Sequence, residues 1–190
     1  MTQPEIPFAL NAGAQLSDTL IPWGTPLTCI TDFGNPAVKQ METSRHFTWP
    51  DVSFLGLSGD AKSCLMHTGP DNPYAARDAY HLYLPDFHSV RLDVKPELDT
   101  SAELRLRSVF AHMKSHFGPA TFCYPEYTNS LPAFFWELDD LFFSCSLQYS
   151  GDTAGVSVRH YTAEHRAELA TFDPPTRGAR SDFVKWNDLW

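Results

Sequence analysis

Histidines and clustered acidic residues are the side chains of this chain whose spacing invites a chemical reading. His112 and His116 stand four apart, which puts two imidazoles on one helix face and can chelate a metal. Between them lie Met113-Lys114-Ser115, without the glutamate that a zinc hydrolase uses as base. The pair falls on the polar side of an apolar stripe, so it reads as a solvated helix face. His160 and His165 have Glu164 beside them but show no ligand-like spacing. His67, His81 and His88 are scattered through expected strands and loops, and read as surface or cross-strand residues. No G-x-S-x-G, P-loop or G-x-G-x-x-G occurs, so a hydrolase nucleophile and a phosphate cradle both lack support. Cys145 shares parity with Leu141, Phe143, Leu147 and Tyr149, which makes it a buried, unactivated thiol. The pair Asp139-Asp140, with Glu137 nearby, sits in an expected turn where carboxylates solvate independently. We therefore expect no catalytic residue, no metal site and no cofactor.

The acidic residues suit a different task. Asp51, Asp60, Glu137, Asp139, Asp140 and Asp152 all fall at expected meander turns. Placed at one edge of a sheet they make a negative rim that steers a basic partner, although charged turns also serve plain solubility. Trp49, Trp136 and Tyr127 are candidate aromatic anchors inside that rim. Each tryptophan suits core packing equally well, so both placements stay open.

Two units position these residues. In the first, Thr25 and Pro26 start a short helix carrying Leu27, Ile30 and Phe33, which Gly34-Asn35-Pro36 stops. Strands are expected at His46–Trp49, Val52–Leu57 and Ser63–Met66, separated by Pro50-Asp51 and Ser58-Gly59-Asp60 turns. Strands follow at Ala79–Leu84 and Ser89–Val94. In the second unit, Thr100 and Glu103 match a capping box. Leu106, Val109, Phe110, Met113 and Phe117 then form one stripe of a helix of about four turns, which Gly118-Pro119 ends. After a loop come strands at Ala133–Leu138, Leu141–Tyr149 and Gly155–Val158. Residues 1–20 read as an extended lead-in, and 173–180 as an exposed loop before a Trp-bearing terminus.

The order of parts is the same in both units. Each helix ends at Phe-Gly: Phe33-Gly34-Asn35-Pro36 and Phe117-Gly118-Pro119. Each is followed by a Trp strand, 16 and 19 residues after the phenylalanine, then an aromatic strand and Ser-Gly-Asp. This predicts an α+β fold in which two α-β-β-β repeats form an antiparallel sheet with helices on one face. The chain is expected to be a single compact domain, with pseudo-repeats over about 21–95 and 96–162 and an extension over 163–190. The uncovered face of such a sheet is a protein-binding platform rather than a deep pocket.

The repeated pattern over 21–66 and 100–158 resembles the tandem-repeat architecture of beta-lactamase inhibitory protein. It is also similar to bacterial immunity proteins that neutralise polymorphic and type VI secretion toxins. The resemblance implies a non-enzymatic inhibitor that grips its target with a sheet surface. The inhibitor itself is secreted and disulfide-bonded, whereas this chain lacks a basic n-region and metal- or disulfide-type cysteine spacing. Those differences favour the cytosolic immunity reading, and no binding residue transfers by motif.

Composition bounds the alternatives. The 190 residues carry 14 Lys and Arg against 23 Asp and Glu, a formal charge of −9. Hydrophobic residues make up 43 % and aromatic residues 14 %, which excludes a disordered chain. Five lysines, none before Lys39, argue against a nucleic-acid partner. No window approaches a membrane span, so cytoplasm is the expected location. The expected partner is a protein, a cognate and basic toxin or enzyme, with the chain itself a monomer or homodimer. A small acidic secretion chaperone and a histidine-based metal enzyme are the alternatives.

Overall fold

The computed structural model describes residues 8–41, 44–66, 86–95, 100–128, 131–148 and 153–161. The expected strand at Ala79–Leu84 and the C-terminal extension lie outside them. The N-terminal segment differs from the extended lead-in. Phe8–Ala12 form a short helix, α1, that runs into a hairpin of β1 (Gly13–Leu16) and β2 (Thr19–Pro22). The helix expected after Thr25 is reduced to a 3-10 turn at Ile30–Asp32. Thr25 does not cap it: its hydroxyl donates to the Pro22 carbonyl at 2.8 Å, while Pro26 bridges to Asp86. The stretch before Gly34 is too short to offset helix nucleation, so the tighter i→i+3 turn forms instead.

Eight strands form one antiparallel sheet: β3 (Ala37–Gln40), β4 (Ser44–Phe54), β5 (Leu57–Met66), β6 (Ser89–Val94), β7 (Phe122–Thr128), β8 (Leu131–Leu138), β9 (Leu141–Leu147) and β10 (Ala154–His160). Their spatial order is β3-β4-β5-β6-β10-β9-β8-β7. Strands β8, β9 and β10 fall where alternation places them. Strand β7, expected as a loop, is the edge strand beyond β8. Its register shifts between Tyr124 and Thr128, around Pro125, which only an edge strand tolerates well.

The first three expected strands are two longer ones. Pro50-Asp51 is not a turn but a bulge inside β4, where pairing with β5 shifts between Trp49 and Val52. Asp51 takes φ 55°, and its N–H donates to the Asp60 carboxylate at 3.1 Å. The hairpin turns instead at Leu55-Gly56, with φ of 55° and 77°, the left-handed pair a two-residue loop needs. Ser58-Gly59-Asp60 lies within β5. A Cβ at Gly59 would overlap the Asp93 carbonyl of β6, so glycine here permits close strand approach.

A second helix, α2 (Ala102–Phe117), packs across this sheet. Its cap is Ser101, one residue after the expected Thr100: the Ser101 hydroxyl accepts the Leu104 N–H at 3.2 Å. Glu103 pairs with Arg107 at 3.0 Å instead of closing a capping box. The expected stripe of Leu106, Val109, Phe110, Met113 and Phe117 is buried. Phe110 meets Phe134 of β8 at 4.0 Å, and Phe117 meets Phe143 of β9 at 4.7 Å. The N-terminal segment contributes Leu10, Leu16, Ile21, Leu27 and Ile30 to the same core cluster. The result is a mixed α+β fold with a helix packed on a large antiparallel sheet. No helix among the described residues is long and apolar enough to cross a membrane.

Candidate functional site

Cross-strand partners point to the same sheet face, so register sorts the side chains. Trp49 pairs with Ala61, Ala61 with Leu92, Leu92 with Val156, Val156 with Cys145, and Cys145 with Phe134, all on the face that α2 covers. Trp49 is 2 % exposed and donates its indole N–H to the Phe33 carbonyl at 2.8 Å. Trp136 is 1 % exposed and donates to the Gly118 carbonyl at 3.0 Å. Neither can anchor a partner. Each instead fastens a strand to the end of the preceding helical segment.

The acidic turns do not share one edge. Neighbouring strands alternate in direction, so β4 and β8, five places apart in the order, run oppositely. The turns that end them therefore lie at opposite ends of the sheet. Asp60, Asp93, Gly155 and Ser146 form one transverse row. Leu141, next to Asp140, lies about 16 Å further along the strand direction at about 3.3 Å per residue. Asp51 and Asp60 belong to the first end, where Asp51 pairs with Lys95. Glu137, Asp139 and Asp140 gather at the other, and all three are exposed. Tyr127 is in the backbone of β7, and its side chain lies outside the described residues, as does Asp152.

The second end has aromatic neighbours that the sequence reading missed. Phe135 and Phe142 are half-buried on the face opposite α2, with ring centroids 5.6 Å apart. Glu137 is the register partner of Phe142, and Tyr161 lies 6.4 Å from the Phe142 ring. The Tyr161 N–H also bonds the Asp140 carbonyl at 2.7 Å. Phe135, Glu137, Asp139, Asp140, Phe142 and Tyr161 thus form one corner. Arg159 pairs with Phe142 in register and is its cationic neighbour. Parity was the available signal. If Leu141, Phe143 and Cys145 point inward, Phe142 points outward.

Further along the same face, Lys62, Arg91, Ser157, Ser144 and Phe135 make a row across five strands. Asp93, 8 % exposed, is held by Lys62 at 2.6 Å and Arg91 at 2.8 Å. Burial pushes its carboxyl up, but hydrogen bonds from Lys62 and Arg91, with their charges, outweigh it. The net is a pKa below the ordinary carboxylate value. This is a structural ion cluster that holds β5 to β6.

No known protein family, curated protein or solved structure matches the chain.

His112 and His46 are engaged in contacts within the fold, and three of the four cysteines are shielded thiols. His116 is exposed, as expected of a solvated helix face, whereas His112 is half-buried. Its Nε2 lies 2.7 Å from the Leu55 carbonyl and donates to it, so α2 latches the β4–β5 turn. His116 stacks on it, with centroids 4.4 Å apart. His46 meets the Ser44 hydroxyl at 2.8 Å and the Cys64 sulfur at 3.8 Å. Burial pushes the Cys64, Cys123 and Cys145 thiols up, away from the thiolate a nucleophile needs. Among the described residues no three His, Cys, Asp or Glu side chains converge on a common point.

Proposed function

We propose that this chain is a non-enzymatic cytoplasmic protein that binds and neutralises a cognate basic toxin or enzyme. It does so with the β8–β9 corner of the sheet face opposite α2. The observation that carries this reading is the Phe135–Phe142 pair, half-buried and flanked by exposed Glu137, Asp139 and Asp140. Aromatic side chains beside unburied carboxylates suit a partner whose cations surround an apolar contact. The raised thiol pKa values and the occupied histidines favour binding over bond-making chemistry. Four cysteines without disulfides fit a reducing compartment.

The same reading includes an ancestral duplication. Strand order runs outward from the β6/β10 seam as β6-β5-β4-β3 on one side and β10-β9-β8-β7 on the other. Both buried tryptophans sit in the second strand from the outer edge, and each bonds a carbonyl at the end of the preceding helical segment. These correspondences support two units, each a helical segment followed by four strands and so one strand longer than the expected α-β-β-β repeat, related by a two-fold axis through the seam.

The test is co-expression with the product of the neighbouring gene, followed by gel filtration and stopped-flow mixing. We expect a 1:1 complex whose association slows at least tenfold between about 50 mM and about 500 mM salt. Phe142→Ala should weaken it by about 2 kcal/mol, the scale of a hot-spot aromatic. Absence of a complex, or one indifferent to reversing Glu137, Asp139 and Asp140 to lysine, would overturn the proposal.

A further inference from the structure

Ser44, His46 and Cys64 bring a hydroxyl, an imidazole and a thiol together at one ring nitrogen. The Ser44 hydroxyl lies 2.8 Å from His46 Nε2, and the Cys64 sulfur lies 3.8 Å from the same atom. His46 and Cys64 are register partners on β4 and β5. Phe47, Trp49 and Ala61 take the inward parity of those strands, so Ser44, His46 and Cys64 belong to the face opposite α2. His46 and Cys64 are half-buried there, which leaves a path for an ion. Among the described residues, the side chains of Ser44, His46 and Cys64 make polar contacts only with one another.

Spacing and charge select the ion. Closed-shell cations bond thiolate sulfur at about 2.3 Å and imidazole nitrogen at about 2.0–2.1 Å. With those lengths, donors 3.8 Å apart meet an ion at an angle of about 120°, the angle of three-coordination. Zinc wants four strong ligands and finds two here. The transverse row Lys39-His46-Cys64 contains no carboxylate, and Lys62 lies two residues from Cys64 on the same face. A monovalent ion on one thiolate is neutral, whereas a divalent one leaves a positive charge beside those lysines. A thiolate paired with an imidazole suits cuprous copper on both counts.

We propose that Cys64 and His46 bind a single cuprous ion, with the Ser44 hydroxyl as a weak third donor. Burial keeps the free thiol protonated, and the metal displaces that proton to solvent as the sulfur–copper bond forms. The imidazole binds through Nε2 in the tautomer that carries its proton on Nδ1. Ser44 turns its oxygen to the ion in place of its present contact with Nε2. Because both strong donors stand on paired strands, the fold sets their separation before the ion arrives. This site is independent of the β8–β9 corner and stands whether or not a protein partner binds there.

The experiment titrates the reduced full chain with Cu(I), without oxygen, against bicinchoninate, whose cuprous complex is coloured. The chain should withdraw a single equivalent of copper. Cys64→Ser and His46→Gln should each weaken binding by about tenfold or more, since even residues outside the ligand shell cost that much. Cys29→Ser should leave it unchanged: Cys29 is exposed, but its side-chain neighbour is the Thr28 hydroxyl rather than an imidazole. X-ray absorption of the copper-loaded parent chain gives a readout that needs no variant to fold, and should show a single sulfur with lighter donors beside it. Failure to withdraw copper, binding that survives Cys64→Ser or His46→Gln, loss of binding in Cys29→Ser, or a shell of sulfur alone would each overturn the proposal.

Discussion

Replacing Trp136 with phenylalanine separates a core tryptophan from an interface one. The indole is 1 % exposed and donates to the Gly118 carbonyl at 3.0 Å. Phenylalanine removes that donor and strands the acceptor, a loss of about 1–2 kcal/mol. It also removes three ring atoms from a site bounded by Phe110, whose ring lies 5.9 Å away. At about 0.8 kcal/mol per methylene-sized group, that adds about 2 kcal/mol. The sum is about 3–4 kcal/mol, or a melting temperature about 10 °C lower for a domain of this size. Trp49→Phe should have a similar effect, because Trp49 makes the same kind of bond to Phe33. Urea unfolding followed by far-UV circular dichroism measures both, with the slope checked against the parent chain. Losses under about 1 kcal/mol would refute the fastening role. A loss of partner binding without a loss of stability would restore the tryptophans as anchors.

Three further perturbations test other contacts. Gly59→Ala should unfold the chain or lower its stability by more than about 3 kcal/mol, since the new Cβ meets the Asp93 carbonyl backbone; a thermal melt decides it. His112→Ala should cost about 1–2 kcal/mol by freeing the Leu55 carbonyl, and amide exchange at the β4–β5 turn should speed up with it. Asp93 has a folded pKa below its unfolded value of about 3.9, so its stabilisation is fully present above that pH and is lost as pH falls through the folded value. Asp93→Asn should therefore destabilise by about 2 kcal/mol near pH 6, discounted because Lys62 is half exposed, and by progressively less as pH falls below the ordinary carboxylate range. Destabilisation that does not shrink as pH falls would contradict the ion-cluster account.

What could be read from the sequence was whatever repeats along the chain. The stripe from Leu106 to Phe117 specifies α2 because five residues agree on one helix face. The alternation from Leu141 to Leu147 likewise specifies β9. Turn chemistry misled where its cause was non-local. Gly59 looks like a turn residue but answers to the approach of β6, 34 positions on at Asp93. Pro50-Asp51 looks like a turn but is a bulge stabilised by Asp60. The true turn contains Leu55, an unfavourable residue at positive φ, held there by Gly56 and by His112 from a distant helix. Of the expected site, Glu137, Asp139 and Asp140 come together, whereas Asp51 and Asp60 lie at the other end because strand direction decides placement. That arrangement depends on β6 pairing with β10, a contact no local pattern encodes.

The division of labour between the two sheet faces follows from the same register. On the α2 side, both tryptophans, Phe47, Phe134 and Phe143 are consumed in the core, and α2 shares that side with the N-terminal hairpin and 3-10 turn. A helix of 16 residues is about 24 Å long. Eight strands spaced about 4.8 Å apart are about 34 Å across. One helix therefore cannot cover the sheet, and the N-terminal segment supplies the missing cover over β4, where Trp49 donates to the Phe33 carbonyl. Recognition that uses the sheet must then come from side chains of the opposite parity. There Phe135 and Phe142 are large apolar residues of β8 and β9 near the acidic turn, while Asp93 is held by Lys62 and Arg91 three strands away on β5 and β6. If the proposed function holds, a partner that reads charge would meet three exposed carboxylates at the β8–β9 corner and two cations sharing one carboxylate on β5 and β6, so one docking orientation would be favoured over its reverse.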